Sequence, residues 1–337
     1  MGLAGAIGLF VSILAHELGH AVVARRFDVP MRGITLFIFG GVAEMTKEPP
    51  SAKAEFLVAI AGPVVSVVIA VACYAAGIYG AASLTAPIAG VLWYLGMING
   101  VVVAFNMIPA FPLDGGRVLR SILWQAKGSL RWATRITSSI GSGFGMLLIL
   151  LGVFSFIGGN FVGGMWQFLI GMFLRGAAQM SYQQVLIRHA LEGEPVERFM
   201  HADVITVPPS ATVDQLVEDY IYRHHHKMLP VTDDGRLLGC VTTREVQRVA
   251  RGEWDQRTVG EIVKPCADEN TIQRNADAMQ ALSNMSRNGA SRLMVVEDGH
   301  LEGILSLKDL LKFISLKVEL EEGGDIGQHP LVRDDEV

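Results

Sequence analysis

Hydrophobic positions in the first half of the chain come in long blocks, not in alternation. Apolar runs occupy about 2–24, 54–80, 87–108, 134–157 and 161–180. Each is close to the roughly 20 residues that a helix needs to cross a bilayer, so the pattern predicts five spans. Residues 31–46 (MRGITLFIFGGVAEMT) are too short to cross, rich in β-branched and aromatic side chains, and interrupted by Gly40-Gly41. They predict a hairpin or a re-entrant strand pair at the membrane face. Gly40-Gly41 reads equally well as a simple turn or as part of a strand that receives another chain.

Beyond residue 180 the blocks give way to short strand-like runs and turns. MLPVTDDGRLLGCVTTREV (228–246) returns 64 positions later as RLMVVEDGHLEGILSLKDL (292–310). Val231, Asp234-Gly235, Leu237 and Gly239 match Val295, Asp298-Gly299, Leu301 and Gly303. Each copy reads as helix, strand, Asp-Gly turn, strand, helix. Residues 318–337 are acidic and contain glycine, and predict a disordered tail.

Charge sharpens the division. Residues 1–180 carry 11 Lys and Arg against 6 Asp and Glu, whereas the remainder carries 17 against 27. The basic residues of the first half gather in two connections, 25–53 and 109–135, while 81–86 and 158–160 hold no charge. The positive-inside rule places both basic connections, and everything after 180, in the cytoplasm. Met1 then starts outside, an awkward insertion that predicts either a further span before Met1 in the natural protein or a misassigned chain start. No basic stripe with interleaved aromatics is present, so nucleic acid is not an expected partner. Cys73, Cys240 and Cys266 form no CxxC and imply no disulfide framework.

Candidate chemistry sits inside the first span. His16 and His20 are four residues apart, hence on one helical face a turn apart, and both imidazoles can reach one metal ion. Glu17 lies beside them, placed to take a proton from water at the metal. Ionisable groups near mid-bilayer cost about 2.5–3.5 kcal/mol each on insertion scales and are rarely there without a function. A catalytic zinc normally keeps three protein ligands and a water. The third is expected where the third apolar run breaks, at Asn106-Met107-Ile108-Pro109-Ala110-Phe111-Pro112-Leu113-Asp114-Gly115-Gly116-Arg117. Pro109 and Pro112 stop the helix, and irregular backbone at membrane depth is tolerated only where it lines protein or a wet cavity. Asp114 is therefore expected to face a polar cavity at the depth of His16 and His20. Arg117 reads as an interface anchor, with a substrate contact as the other reading. His189, His201, His300 and His329 read as solvated, and His224-His225-His226 as a surface run, because three consecutive residues do not share a helix face.

HELGH in one span, Ala61-Gly62-Pro63 in the next and NMIPAFPLDGGR after it, in that order, resemble the site-2 protease family of intramembrane zinc metalloproteases. The second half resembles the branch carrying paired CBS (cystathionine-β-synthase-type) modules. The resemblance implies a polytopic α-helical membrane protein of about five spans with a short re-entrant β segment, fused to a soluble α/β tandem CBS domain. It implies zinc held by His16, His20 and Asp114, Glu17 as catalytic acid and base, and Asn106 near the site to hold substrate or the oxyanion. Members of this branch usually carry a span before the HExxH helix, in keeping with the expected extra span. The implied reaction is hydrolysis of peptide bonds in membrane-spanning substrates, which must unwind first; the strand segment with Gly40 and Gly41 is a candidate to receive them. CBS pairs often bind adenine nucleotides (ATP, ADP or AMP). The Ser/Thr-x-x-Asp signature of that site is intact at Ser306 and Asp309, whereas Thr242 is followed by Glu245 in place of Asp. A purely structural, dimer-forming CBS module is the other reading. The expected domains are 1–185 (protease), 186–196 (linker), 197–252 and 257–317 (CBS units), and 318–337 (tail).

A transporter or channel regulated by CBS domains, and an inactive scaffolding relative, are the competing classes. The first would spread ionisable residues along several spans, whereas here they concentrate at HELGH and LDGG. The second is disfavoured by the intact Glu17.

Overall fold

A computed structural model describes residues 2–29, 31–37, 40–45, 48–80, 85–267 and 269–326, with backbone alone over 31–45 and 321–326. The chain divides into two compact units, Met1–Val185 and Leu186–Val337.

The first unit is built from α1 (Gly2–Arg25), a hairpin of β1 (Met31–Phe37) and β2 (Gly40–Met45), α2 (Ala52–Tyr79), α3 (Ala86–Asn106), α4 (Asp114–Lys127), α5 (Leu130–Ile157) and α6 (Phe161–Leu191). Five of these helices, α1, α2, α3, α5 and α6, are long and apolar enough to cross a membrane. Their polarity is inverted relative to a water-soluble protein. In α1 the buried positions are Gly5, Ser12, His16, Glu17, His20, Ala21 and Ala24, whereas Leu3, Ile7, Phe10, Val11, Leu18 and Val22 are exposed. Small and polar residues face the protein while large apolar ones face outward, as expected when lipid is the solvent.

Packing is close at several glycines. A Cβ at Gly19 would meet Ala61 O at 3.0 Å, so α1 and α2 touch backbone to side chain at the HELGH turn. In α5 and α6, Cβ atoms at Gly145 and Gly171 would each meet the other residue's carbonyl oxygen, and the same holds for Gly152 and Gly164. α4 starts at Asp114 and ends on Gly128, whose φ of 69° supplies a left-handed cap. Its first turn holds Gly115 and Gly116, where a Cβ would strike the backbone of Met107 and of Ala110–Phe111 respectively. The Pro-rich loop therefore lies directly on the start of α4. The Phe111–Pro112 peptide is cis.

The expected strand pair forms, antiparallel, with Leu36 opposite Gly41 and Phe37 opposite Gly40, so both glycines lie within β2. It packs against α1. Two expectations need correction. The fifth run was expected to end near 180 and to be followed by a linker over 186–196, but α6 continues to Leu191, and Ala190, Leu191 and Val196 lie in the core of the second unit. The apolar residues among the polar ones of 181–196 were enough to keep the helix packed. Similarly, α11 (Leu307–Ile326) carries helix into the stretch expected to be a disordered tail. The remainder of that tail, with His329, lies outside the described residues.

In the second unit, α7 (Val213–Gln215) leads into a π-helical segment (Leu216–Tyr222), followed by β3 (Met228–Asp233), β4 (Arg236–Thr242), α8 (Thr243–Gln247), α9 (Val259–Ile262), β5 (Lys264–Pro265), β6 (Thr271–Gln273), α10 (Ala278–Asn288), β7 (Arg292–Glu297), β8 (His300–Ser306) and α11. The sheet order is β3-β4-β8-β7-β6, with β5 on β4. The sequence repeat is a structural one. Val231 faces Gly239 as Val295 faces Gly303, and each hairpin has an irregularity immediately after that valine. Asp234-Gly235 and Asp298-Gly299 all have positive φ (46°, 78°, 50° and 82°), as a two-residue hairpin turn of this hand requires. Each repeat has its own core, around Leu216 and Val231 in one and Leu293 and Leu305 in the other. Leu237, Cys240 and Met294 join the two.

Candidate metal centre

Two elements converge on one point. α1 supplies His16 and His20, each 4% exposed, and the start of α4 supplies Asp114. The Nε2 atoms of the two histidines are 3.2 Å apart, with Asp114 Oδ2 3.1 Å from that of His16 and Oδ1 3.4 Å from that of His20. One ligand atom from each residue falls within 4.8 Å of the others. The sequence places these groups 98 positions apart, and the fold brings them into contact.

The far side of each imidazole is held by α2. His16 Nδ1 pairs with Ser66 Oγ at 2.9 Å, and His20 Nδ1 lies 2.7 Å from Val58 O, to which it donates. This fixes the ring orientations and leaves both Nε2 atoms facing the centre, the arrangement expected of metal-binding histidines. Between Val58 and Ser66, on the same face of α2, sits Gly62. A Cβ there would lie 2.6 Å from His16 Nε2 and collide with His20 Nε2. The missing side chain leaves room where an ion must sit. Two imidazoles and a carboxylate converging there, with an acidic group alongside, is a donor set that suits zinc.

Glu17 is buried beside this group, 8% exposed. Asn106 ends α3 and is half-buried, with no side-chain hydrogen bond to the site among the described residues. Asn99 Nδ2 donates to Ser12 Oγ at 3.1 Å, across 87 positions, and Tyr94 and Leu95 lie against Gly5 and Gly8. The two helices, α1 and α3, run parallel.

These contacts decide what kind of chain this is when set beside known proteins. The model for peptidase family M50 matches residues 4–82 and 77–152, and the CBS domain model matches 196–252 and 259–316. Rip3 of Mycobacterium tuberculosis is 34% identical over 319 residues, covering 94% of this chain and 81% of its own. The zinc metalloprotease MJ0392 of Methanocaldococcus jannaschii is 30% identical over 316 residues, 93% of this chain and 85% of its own. The chain belongs to peptidase family M50. It is a membrane zinc metalloprotease of the site-2 protease family carrying a CBS domain. A solved site-2 protease from Methanocaldococcus jannaschii, 33% identical, covers 52% of this chain and 75% of that one, with a TM-score of 0.42. The transporter and channel readings fall away with that assignment.

Val58 and Ser66 of this M50 centre escape a reading by motif, and Gly62 is met there only as part of Ala61-Gly62-Pro63, with no role attached. Ser66 and Val58 support the histidines, and Gly62 clears the space between them. Their signal was the spacing 58, 62, 66, one turn apiece along α2. Glu55, fully buried, precedes that series on the same helix and pairs with Arg120 through Nε at 2.6 Å. A carboxylate at the start of an apolar run was itself a signal, since ionisable residues there are seldom idle.

In the CBS module both signature positions pair a hydroxyl with the carboxylate three residues on, and His201 joins the second. Glu245 Oε2 accepts from Thr242 N at 2.9 Å and from the Thr242 hydroxyl, closing a capping box at the start of α8. Asp309 accepts from the Ser306 hydroxyl and lies 3.3 Å from His201 Nε2. Burial pushes the Asp309 carboxyl up, but Ser306 and His201 outweigh it and hold it below the usual carboxylate range. His224 and His225 are exposed, and the His224 and His226 rings stand 6.3 Å apart.

Proposed function

We propose that the chain cleaves peptide bonds of membrane-spanning proteins at a site near the cytoplasmic face, with His16, His20 and Asp114 holding zinc and Glu17 moving the proton. The observation that carries this reading is the meeting of the three ligand groups around a position that Gly62 keeps clear. When bound, zinc supplies Lewis acidity, acidifying a water and polarising the carbonyl under attack. Glu17 takes the proton from the attacking water as its oxygen bonds to the carbonyl carbon. It then delivers that proton to the amine nitrogen as the carbon–nitrogen bond breaks. Asn106, at the end of α3, offers its side-chain amide N–H to the carbonyl oxygen as negative charge builds there.

A substrate helix must first unwind, and its freed backbone groups need partners in the membrane. Among the described residues β1 and β2 pair only with each other, so each offers one edge to a third strand. Gly40 and Gly41, without side chains, let another backbone approach β2. The CBS module is assigned an adenine nucleotide at Ser306 and Asp309, and a dimer contact between copies. The Thr242 position is the weaker candidate, because Glu245 stands there in place of the signature Asp. The protease domain is placed at 1–185, with CBS units at 197–252 and 257–317.

Glu17→Gln in the full chain, reconstituted in liposomes with a helical membrane substrate, tests the reading. Zinc content is expected to stay at the wild-type level while turnover falls by about 10²–10⁴-fold, the usual worth of a positioned acid–base group. Turnover equal to wild type would refute the assignment. The same variant serves as a trap, retaining uncleaved membrane proteins that identify the natural substrate.

A further inference from the structure

Below the metal centre, toward the start of α2, lies a second polar group that the chemistry of cleavage leaves unused. Glu55 on α2 is fully buried and Arg120 on α4 is 3% exposed. Arg120 donates to Glu55 Oε1 through Nε at 2.6 Å and also through Nη2. Its Nη2 lies 3.2 Å from a Glu48 oxygen, Nη1 reaches Thr134 Oγ1 on α5 at 3.5 Å, and the guanidinium stacks over Phe111 of the Pro-rich loop at 5.2 Å. Arg117 Nε is 3.9 Å from the same Glu55 oxygen.

This arrangement is poorly suited to stability alone. Taking two charges out of water is costly, and apolar residues of similar volume usually pack as well or better. Moreover, Glu55 Oε2 is buried without a hydrogen-bond partner among the described residues. What the pair does supply is register. Asp114 enters the site from the first turn of α4, after a loop broken by two prolines, so α3 cannot hold it in place through continuous helix. Gly115 and Gly116 pack on the backbone of the Pro-rich loop and give no side-chain hold on α2. A slip of α4 by one residue would shift Asp114 by about 1.5 Å and turn it by about 100°. Metal ligands must lie within about 0.2 Å of their places. Glu55 lies on the helix that also anchors both imidazoles, through Val58 and Ser66. The pair therefore ties the third ligand to the support of the first two.

We infer that Glu55 and Arg120 are positioning residues of the metal centre, locking α4 against α2 so that Asp114 meets His16 and His20. The inference rests on the zinc site proposed above. It is tested on the full chain in detergent by zinc competition against a chelator and by the visible spectrum of the cobalt-substituted protein, with Glu55→Gln, Arg120→Met and Arg120→Lys. Glu55→Gln and Arg120→Met are expected to weaken zinc binding by about 10–100-fold, the usual effect of losing an outer support. Their cobalt spectra should move toward that of Asp114→Ala, and Arg120→Lys should recover part of the affinity. Wild-type affinity and spectrum in both Glu55→Gln and Arg120→Met would overturn the inference. So would zinc loss that merely follows loss of helix content. If Arg120→Met yields no folded protein, the near-isosteric Glu55→Gln decides by the same criteria. A wild-type chain that takes up no zinc would instead remove the proposed function, and is distinguishable from a loaded wild type with indifferent variants.

Discussion

At position 62 a single methyl group would decide the fate of the site. Gly62→Ala places a Cβ against both imidazole Nε2 atoms. Because α2 is fixed on either side by its contacts to those same rings, the neighbours have little room to yield. Zinc content measured by elemental analysis should fall at least 10-fold in this variant, with helix content unchanged. Ser66→Ala is milder. It removes the partner of His16 Nδ1 at 2.9 Å and frees the ring to rotate, so zinc affinity should drop by about 10-fold while Glu17 and the rest of the centre stay in place. A variant that binds zinc as wild type does would show that His16 is oriented by packing alone.

At the scale of elements, the membrane helices are held by absent side chains. α5 and α6 meet where Gly145 faces Gly171 and Gly152 faces Gly164. Replacing Gly152 with leucine should destabilise the detergent-solubilised protein by ~1–3 kcal/mol or more, as overpacking does, and appear as a lower melting temperature. Zinc stoichiometry of the folded fraction should hold, since neither helix donates a ligand. The sequence made the spans, the hairpin and the HELGH–LDGG pairing readable because each has a strong signal: a long apolar run, a β-branched stretch, or costly ionisable groups in a membrane segment. It did not reveal which face of α2 would serve the site. Val58 acts through its backbone carbonyl, Gly62 through lacking a side chain, and Ser66 through a hydroxyl that is common in such helices. None of these is chemically conspicuous until α1 is laid against α2. The end of α6 was missed for a related reason. Leu191 and Val196 are core residues of the second unit, and a stretch with mixed polarity gives no local hint of that.

Across the whole chain, two halves of different solvent preference are joined, each with its own interior. In the second unit, titration of the full chain with ATP, ADP or AMP by calorimetry should give about one site per chain. Asp309→Ala should abolish it, whereas Glu245→Gln should leave it intact. Two equal sites would show that the Thr242–Glu245 cap opens for ligand. The hairpins themselves match closely, down to the left-handed Asp-Gly turns and the irregularity after Val231 and Val295. Duplicated scaffolds whose corner chemistry has drifted apart are lopsided by composition, not by shape. A small molecule accepted on one side only would break an internal near-symmetry, so that an occupied module and a vacant one would differ in kind and not merely in degree.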